Sequence, residues 1–256
     1  SIKLARNPNY WRPGLPYLDG VEFTIIPNRA TAVLAFATGK FDMTFTGEMS
    51  PILTHDIEVQ APDAICELQP TNTQANLLVN RDRPPFNDAA IRHALVLAID
   101  RHAFTAILSQ GIDKMGGAML PPPQGQWGMS PEFLATVAGY QPSVERSRIE
   151  GRKIMAGLGY SAEKPLKLKV STRNIPVYRD PAVILIDHLK QIYIDGELDI
   201  VETANWDAKI TRKDYAVGMN LTGSAVDDPD QNFYENYACG SARNYPGYCN
   251  KELQAD

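Results

Sequence analysis

The clearest helical pattern in the sequence is Pro84-Pro85-Phe86-Asn87-Asp88-Ala89-Ala90-Ile91-Arg92-His93-Ala94-Leu95-Val96-Leu97-Ala98-Ile99-Asp100-Arg101. It opens on turn-forming residues and continues with apolar residues at helical spacing. These residues form one apolar stripe of Ile91, Ala94, Leu95, Ala98 and Ile99. Residues 100–108 predict a second helix. A helix with one apolar stripe must bury it against other elements, so the neighbouring segments decide the fold class.

Segments that alternate apolar and polar residues lie on both sides of this helix pair. They predict strands at residues 21–25, 41–45, 77–79, 166–170, 198–201 and 215–221. Further helices are predicted at residues 28–39 and 143–157, and from Asp180-Pro181 onward, where the proline would take the first helical position. Strands that alternate with helices predict an α/β fold.

The composition is that of an ordinary folded protein. The 256 residues are 44% hydrophobic, and 25 Lys and Arg stand against 30 Asp and Glu, which gives a net charge of −5. This length suits one large domain or two smaller ones. The acidic balance disfavours nucleic acid as a partner, and no apolar run is long enough for a transmembrane helix. The chain starts at Ser1 without a signal-peptide pattern, so we expect a mature protein or a fragment.

The three cysteines bear on the cellular compartment. Cys239 and Cys249 are ten residues apart in a loop-like stretch that contains glycine and proline. A disulfide closing this loop would be typical of an oxidising compartment, and two buried free thiols are the alternative. Cys66 follows a strand-like stretch and is expected to fill core space. No C-x-x-C pair occurs, so a zinc ribbon or a thioredoxin-type site is not predicted.

No enzyme, metal or cofactor signature is found in the sequence. His93 and His102 are nine residues apart and would lie on opposite sides of one helix, and there is no H-E-x-x-H motif. Residues 157–162 match the dinucleotide-binding pattern only superficially, because they follow a helix instead of a strand. Ser224 lacks the second glycine of a nucleophile elbow.

Polar and aromatic loops are the better candidates for function. They are Gln126-Trp127-Gly128, Thr172-Arg173-Asn174, Asp227-Asp228-Pro229-Asp230 and Asn244-Tyr245. Loops on a rigid α/β scaffold commonly bind ligands. Each of them alone is equally typical of a surface loop, and Trp127 could simply cover an apolar surface.

A series of short motifs, taken in order, resembles a known family. The motifs are residues 7–14 (NPNYWRPG), 17–23 (YLDGVEF), 39–42 (GKFD), 84–88 (PPFND), 91–95 (IRHAL), 98–101 (AIDR), 120–122 (LPP), 127–128 (WG), 214–215 (DY), 228–230 (DPD) and 244–250 (NYPGYCN). Each motif is weak alone, but the ordered set is similar to the extracytoplasmic solute-binding proteins of peptide and nickel ABC transporters, often called family 5. The similarity extends from residue 7 to about residue 253.

The resemblance implies a hinged α/β protein of the periplasmic binding protein type II class. Such a protein closes two lobes over a solute and delivers it to a membrane permease. Family members are about twice as long, so residues 1–80 are expected to be the closing part of the first lobe. Residues 81–256 are expected to be the nearly complete second, ligand-binding lobe, without the C-terminal return to the first lobe. The resemblance also implies a monomer that is periplasmic, or extracytoplasmic and membrane-associated.

The resemblance also bears on the ligand. Peptide-binding members place an Asp, four residues before the loop proline, against the peptide ammonium group, and Ala225 stands at this position here. The aromatic residue of the family falls near Thr222. Asp227 or Asp228 could take the ammonium role. Arg173 lies where some members hold an Arg for the peptide carboxylate, which suits an anionic ligand such as an organic or aromatic acid.

The main hypothesis is therefore the solute-binding component of an ABC importer for a peptide-like solute or an organic acid. The expected ligand contacts are Asp227, Asp228, Trp127, Arg173, Asn174, Asn244 and Tyr245 from the second lobe, with Thr73 and Asn76 from near the crossover. The alternatives are a dedicated dipeptide- or oligopeptide-binding protein, an α/β hydrolytic enzyme with a nucleophile and base in a cleft, and a protein-interaction module with an exposed apolar patch.

Overall fold

The computed structural model of the chain describes residues 1–44, 49, 51–67, 73–109, 111–112, 115, 117, 119–120, 122, 125–223 and 226–255. The chain divides into two compact units, Ser1–Glu67 and Leu68–Asp256. Each unit is described separately below. Within the described residues, no helix is both long enough and apolar enough to cross a bilayer.

The first unit contains a two-stranded ribbon and two helices. Its elements are β1 (Ile2–Ala5), β2 (Gly20–Phe23), α1 (Arg29–Ala37) and α2 (Pro51–Gln60). β1 and β2 pair antiparallel, and the predicted strand near residue 21 is confirmed, although it ends at Phe23. α1 begins after Asn28, whose side chain accepts the backbone N–H of Thr31 at 3.0 Å, as expected for an N-cap.

The strand predicted at residues 41–45 is wrong for the part that the structure describes. Residues 41–44 belong to no strand, and Phe45 lies outside the described residues. The alternation of Phe41 and Met43 suggested one buried face, but Met43 is 80% exposed. Period-two alternation is a strand signal only where one face is buried, and here it is not.

The second unit contains a sheet and most of the helices. Its strands are β3 (Thr73–Val79), β4 (Leu166–Arg173), β5 (Ile194–Val201) and β6 (Val217–Gly223). Its helices are α3 (Ala89–Ala98), α4 (Arg101–Ser109), α5 (Pro131–Leu134), α6 (Val144–Gly157), α7 (Pro176–Lys190), α8 (Thr203–Thr211) and α9 (Pro229–Tyr237). The predicted helix pair at residues 91–108 and the helix at 143–157 are confirmed.

The sheet has the strand order β3-β6-β4-β5. β4 runs parallel to both of its neighbours, and β3 runs antiparallel to β6 with Thr73 opposite Gly223 and Val79 opposite Val217. The end of the sheet where β3 begins and the other strands finish is called the carboxyl end below, and the opposite end is called the amino end. Loops that follow β4, β5 and β6 therefore all start at the carboxyl end.

Helices cover the two faces of the sheet unequally. α3, α6 and α7 form the main core with one face, and the stripe predicted on α3 is buried there. Other fully buried members of this core are Phe86, Met155, Val170, Leu185, Leu189, Ile194 and Val217. On the other face, α8 places Trp206 and Ile210 against Leu78 and Tyr215. In the described part of the unit, the second face is therefore covered by the short helix α8 together with Tyr245.

α7 begins earlier than expected. The sequence predicted its start at Pro181, but the first helical position is taken by Pro176, and Pro181 lies inside the helix. An interior proline removes one intrahelical hydrogen bond, which the burial of this residue helps to offset. Proline is common in the first turn of a helix, but this preference does not tell whether the helix begins at Pro176 or at Pro181.

The boundary between the units also differs from the expected lobe boundary. β3 was assigned to the first lobe, yet it is hydrogen-bonded to β6 in the sheet of the second unit. The order of motifs along the chain cannot reveal which strand lies beside β3. The correspondence of the two units to the two lobes of a binding protein stays a prediction.

Candidate functional site

A row of polar side chains crosses the face of the sheet that α8 packs against, near the carboxyl end. Asn76 on β3 lies directly opposite Asn220 on β6, and strand alternation puts both on this face. The β4–β6 pairing ends with Ser171 opposite Gly218, and Arg173 and Asn220 each follow two residues later, on the same face by strand alternation. Asn76, Asn220 and Arg173 are called the polar row below. All three are half-buried.

Arg173 is the charged member of the polar row. Its guanidinium carbon lies 4.7 Å from the ring centroid of Tyr178, and Nη1 donates to the Tyr178 hydroxyl at 3.0 Å. Nε of Arg173 is buried and has no hydrogen-bond partner among the described residues. Leaving a buried donor unsatisfied costs about 1–3 kcal/mol. Stacking therefore holds the side chain in place while one buried donor stays unsatisfied among the described residues.

Two other predicted residues lie at the same end of the sheet as the polar row. Thr73 is exposed at the start of β3, and Asn174 follows β4 and donates from Nδ2 to Oε1 of Glu202 at 3.3 Å. Thr172 points to the opposite face, where its hydroxyl donates to the carbonyl oxygen of Tyr178 at 3.0 Å and ties α7 to the sheet. The structure thus brings Thr73, Asn174 and the polar row to one end of the sheet.

A half-buried ionic network lies beside this site on the same face. The hydroxyl of Ser171 donates to Oδ2 of Asp199 at 2.7 Å, and Nζ of Lys209 on α8 lies 3.3 Å from the same oxygen. Burial alone would raise the pKa of Asp199, but the Ser171 hydrogen bond and the positive charge of Lys209 outweigh it and lower the pKa. Asp199 therefore remains a carboxylate and fixes α8 against β4 and β5.

Two loops of the second unit meet near the end of β6. Oδ2 of Asp227 accepts the backbone N–H of Gln126 at 2.8 Å, so the predicted residues Asp227 and Trp127 are brought close together in the fold. The side chain of Trp127 is 53% exposed. A Cβ on Gly125 would overlap the carbonyl oxygen of Leu120 and lie 3.1 Å from Oδ1 of Asp227. The contact between the loops therefore requires glycine at position 125.

Asp228 has a structural role at the start of α9. Its side chain accepts the backbone N–H of Asp230 at 2.8 Å and caps the helix, with Pro229 in the first turn. Asp228 is exposed, and so is Asp227. Ala225 and Ser224 lie outside the described residues.

Asn244 and Tyr245 do not lie with the other predicted contacts. The hydroxyl of Tyr215 donates to the carbonyl oxygen of Tyr245 at 2.9 Å, and the N–H of Arg81 donates to the carbonyl oxygen of Pro246 at 3.1 Å. Tyr215 precedes β6 and Arg81 follows β3, which puts this segment at the amino end of the sheet. The length of a seven-residue strand, roughly 20 Å, separates it from the carboxyl end. The expectation that Asn244 and Tyr245 share one site with the other predicted contacts is wrong, because the chain after α9 lies at the amino end.

At the amino end of the sheet, side chains form hydrogen bonds with backbone carbonyl oxygens of neighbouring segments. Nδ2 of Asn80 donates to the carbonyl oxygens of Lys213 and Tyr215 at 2.9 and 3.0 Å. Burial raises the pKa of Tyr215, so its hydroxyl stays protonated and can donate to the backbone. The amide of Asn244 is occupied in the same way, since it donates to the carbonyl oxygens of Ala238 and Tyr248 and accepts the N–H of Tyr248. Asn244 therefore shapes a loop.

Cys239 and Cys249 are joined in this loop with an S–S distance of 2.08 Å. The backbone N–H of Cys239 also donates to the side chain of Gln254 at 2.8 Å. A cavity of about 320 Å³ opens beside the disulfide, and its lining includes Lys213, Tyr245 and Tyr248. This cavity is at the amino end and does not coincide with the polar row.

We expect the chain with both Cys239 and Cys249 replaced by serine to lose about 2–3 kcal/mol in free energy of unfolding. The reason is that a cross-link spanning ten residues restricts the unfolded chain by about this amount. Urea unfolding of the oxidised protein and the double variant measures the difference, and Cys66→Ser serves as the control. Intact mass without reductant must also be lower by two hydrogens; two free thiols would contradict the disulfide.

Within the described part of the chain, no group of three or more His, Cys, Asp or Glu side chains is arranged so that it could hold a metal ion. His188 is buried and accepts the N–H of Asp100 through Nδ1 at 3.4 Å. Burial and the nearby charge of Arg148 lower the pKa of His188, which keeps it neutral within the core.

The sheet, its helices and the polar carboxyl end define a type II periplasmic binding protein fold. The structure of Haemophilus influenzae OppA in complex with RPPGFSPFR superposes with a TM-score of 0.80 at 22% identity, over 99% of this chain and 48% of that chain. AppA from Bacillus subtilis in complex with a nonapeptide gives a TM-score of 0.78 at 19% identity, over 99% of this chain and 50% of that chain. Likeness at these identities establishes the fold alone.

The sequence comparison gives the family. The family model of bacterial extracellular solute-binding proteins, family 5 (middle), matches residues 1–244, and the chain belongs to this family. The periplasmic oligopeptide-binding protein OppA of Escherichia coli (strain K12) is 27% identical over 183 residues, which are 71% of this chain and 32% of that protein. The chain spans about a third to a half of the length of the proteins that it matches.

Proposed function

We propose that the full-length protein is the solute-binding component of an ABC importer, which captures a small organic solute between two lobes and delivers it to a membrane permease. Membership of family 5 supports this proposal, and so do relatives that are named periplasmic oligopeptide-binding proteins. We place the protein in the periplasm, or on the extracytoplasmic side of the membrane, as a monomer. These relatives are transport proteins, which argues against the hydrolytic enzyme considered above.

The observation that carries the ligand assignment is the buried, unpartnered Nε of Arg173. A guanidinium presents several donors in one plane, and a carboxylate offers two acceptors that match two of them. Tyr178 already holds the guanidinium in one orientation, so little side-chain freedom would be lost when a ligand binds. The amides of Asn76 and Asn220 stand beside it and can bond to further polar groups of the ligand.

The proposed ligand is a carboxylate without a dedicated ammonium partner, such as an organic or aromatic acid. The two carboxylates considered for that partner both have backbone N–H groups as partners, Asp227 from Gln126 and Asp228 from Asp230. The alternative is a dipeptide or oligopeptide. It is favoured by the bound peptides of the solved structures of H. influenzae OppA and B. subtilis AppA.

A titration of the full-length gene product separates these ligands. We expect benzoate to raise the melting temperature in a concentration-dependent way, because a ligand that binds only the folded state stabilises it. At one hundred times the dissociation constant the stabilisation is about 2.7 kcal/mol. Dialanine at the same concentrations serves as the comparison. Strong stabilisation by dialanine without any effect of benzoate would show that the carboxylate assignment is wrong.

A further inference from the structure

We propose that Asp227 is a latch that holds the loop carrying Trp127 at the ligand site, and that it does not pair with an ammonium group of the ligand. This inference deepens the proposed function, since it rests on Trp127 being a ligand contact. The latch itself is a contact between two loops. It can be measured without any ligand.

The latch is built from one carboxylate and one backbone amide. Asp227 Oδ2 lies 2.8 Å from the backbone nitrogen of Gln126, and the two residues are 101 positions apart in the sequence. A hydrogen bond between a backbone N–H and a carboxylate is charge-assisted and stronger than one between neutral groups. It therefore ties the backbone at Gln126 to the residue that precedes the cap of α9.

Packing on the other side of the carboxylate supports the same role. Gly125 leaves no room for a side chain, because a Cβ would overlap the carbonyl oxygen of Leu120 and come within 3.1 Å of Asp227 Oδ1. The carboxylate is thus seated against the backbone of residues 125–126. A group free to approach a ligand would need neither the close approach nor the glycine.

Trp127 directly follows Gln126 in the chain, so the latch restricts the position of Trp127. Trp127 is 53% exposed, so it is a large aromatic surface available for contact. Fixing the backbone at Gln126 restricts where this side chain can go before the ligand arrives, and such preorganisation improves affinity. Asp227 is accordingly a positioning residue, and Trp127 is the residue that touches the ligand.

The two roles of Asp227 respond differently to asparagine. A side-chain amide still offers an oxygen that can accept the N–H of Gln126, but it carries no negative charge for an ammonium group. A latch is therefore retained in part in Asp227→Asn and is lost in Asp227→Ala. An ammonium partner would be lost in both variants. Asp230→Asn removes one charge from a nearby exposed position on α9 and is the matched control.

Amide hydrogen exchange of the 256-residue chain measures the latch. We expect the Gln126 N–H to exchange roughly tenfold faster, or more, in Asp227→Ala, clearly less fast than that in Asp227→Asn, where a neutral acceptor remains, and at nearly the original rate in Asp230→Asn. Gly125→Ala should also lower this protection, because a Cβ would overlap the carbonyl oxygen of Leu120 and displace the backbone next to the Gln126 N–H. Equal exchange in Asp227→Ala and the original protein would overturn the latch, and so would equal loss in Asp227→Asn and Asp227→Ala.

A binding arm tests the link to Trp127, with benzoate and dialanine as probes and the full-length gene product. For the probe that binds, Asp227→Ala and Trp127→Ala should each weaken affinity, and the double variant should lose less than the two losses combined. Asp227→Asn should weaken affinity less than Asp227→Ala does, because its side-chain oxygen can still accept the N–H of Gln126. Selective loss of dialanine affinity in Asp227→Asn would assign Asp227 to the ammonium group and overturn the proposal, whatever the exchange rates show.

Discussion

Replacing Trp206 with alanine is expected to lower the free energy of unfolding of the second unit by about 3–5 kcal/mol. Trp206 is 1% exposed, and it is the largest side chain in the cluster between α8 and the sheet. Its ring tip lies 3.6 Å from the position that a Cβ on Gly218 would occupy, so the indole fills the space above a strand residue without a side chain. Alanine would leave a cavity there that no neighbour can fill.

Urea unfolding followed by circular dichroism checks this expectation. Asn205→Ala, an exposed position in the same helix, is the matched control and should change stability by no more than about 0.7 kcal/mol. Trp206→Phe should fall between the two. A loss below 1 kcal/mol in Trp206→Ala would mean that α8 contributes little to holding the sheet, contrary to the packing described here.

The second large effect is expected in ligand binding. Arg173→Gln in the full-length protein should weaken benzoate binding by roughly 2–5 kcal/mol, which is a factor of about 30 to several thousand. The loss is large because the guanidinium is held in position by Tyr178 and its Nε donor has no partner in the described protein. Arg173→Lys should recover only part of the affinity, since an ammonium cannot pair with a carboxylate through two parallel bonds.

Isothermal titration calorimetry provides the measurement, and Arg179→Gln provides the control. Arg179 has the same charge and lies on α7, but its guanidinium is paired with Asp180. We expect its replacement to change affinity less than twofold. If Arg173→Gln and Arg179→Gln weaken benzoate equally, general electrostatic attraction accounts for the binding and Arg173 is not the anchor.

The parts of the fold that could be predicted are those with one buried and one exposed face. α3 was predicted correctly because its apolar residues recur at helical spacing, and the stripe they form is buried. α9 was not predicted, because its sequence is mostly polar and aromatic and Asp228-Pro229 is equally typical of a loop. The strand predicted at residues 166–170 was too short, because Ser171 and Thr172 are polar. Both are buried in the structure, where their hydroxyl groups form hydrogen bonds that cannot be read from the sequence.

Arg173 and Asn174 could be chosen as candidates because they form a polar stretch at the end of a predicted strand and because Arg173 matches a family position. Asn220 was not predicted as a site residue. A polar residue within a strand becomes a candidate only when the strands beside it are known, here those that carry Asn76 and Arg173. Asn244 and Tyr245 were expected beside the other ligand contacts because their own sequence does not show at which end of the sheet the chain lies after α9.

The separation of the two ends of the sheet matters for how specificity can change. The disulfide, the Asn80 hydrogen bonds and the Tyr215 contact are all gathered at the amino end. The polar row and the latched loops are at the other end of the same strands. Under the proposed function, residues at the carboxyl end can therefore be exchanged to change solute specificity without weakening the ties that keep the second unit folded.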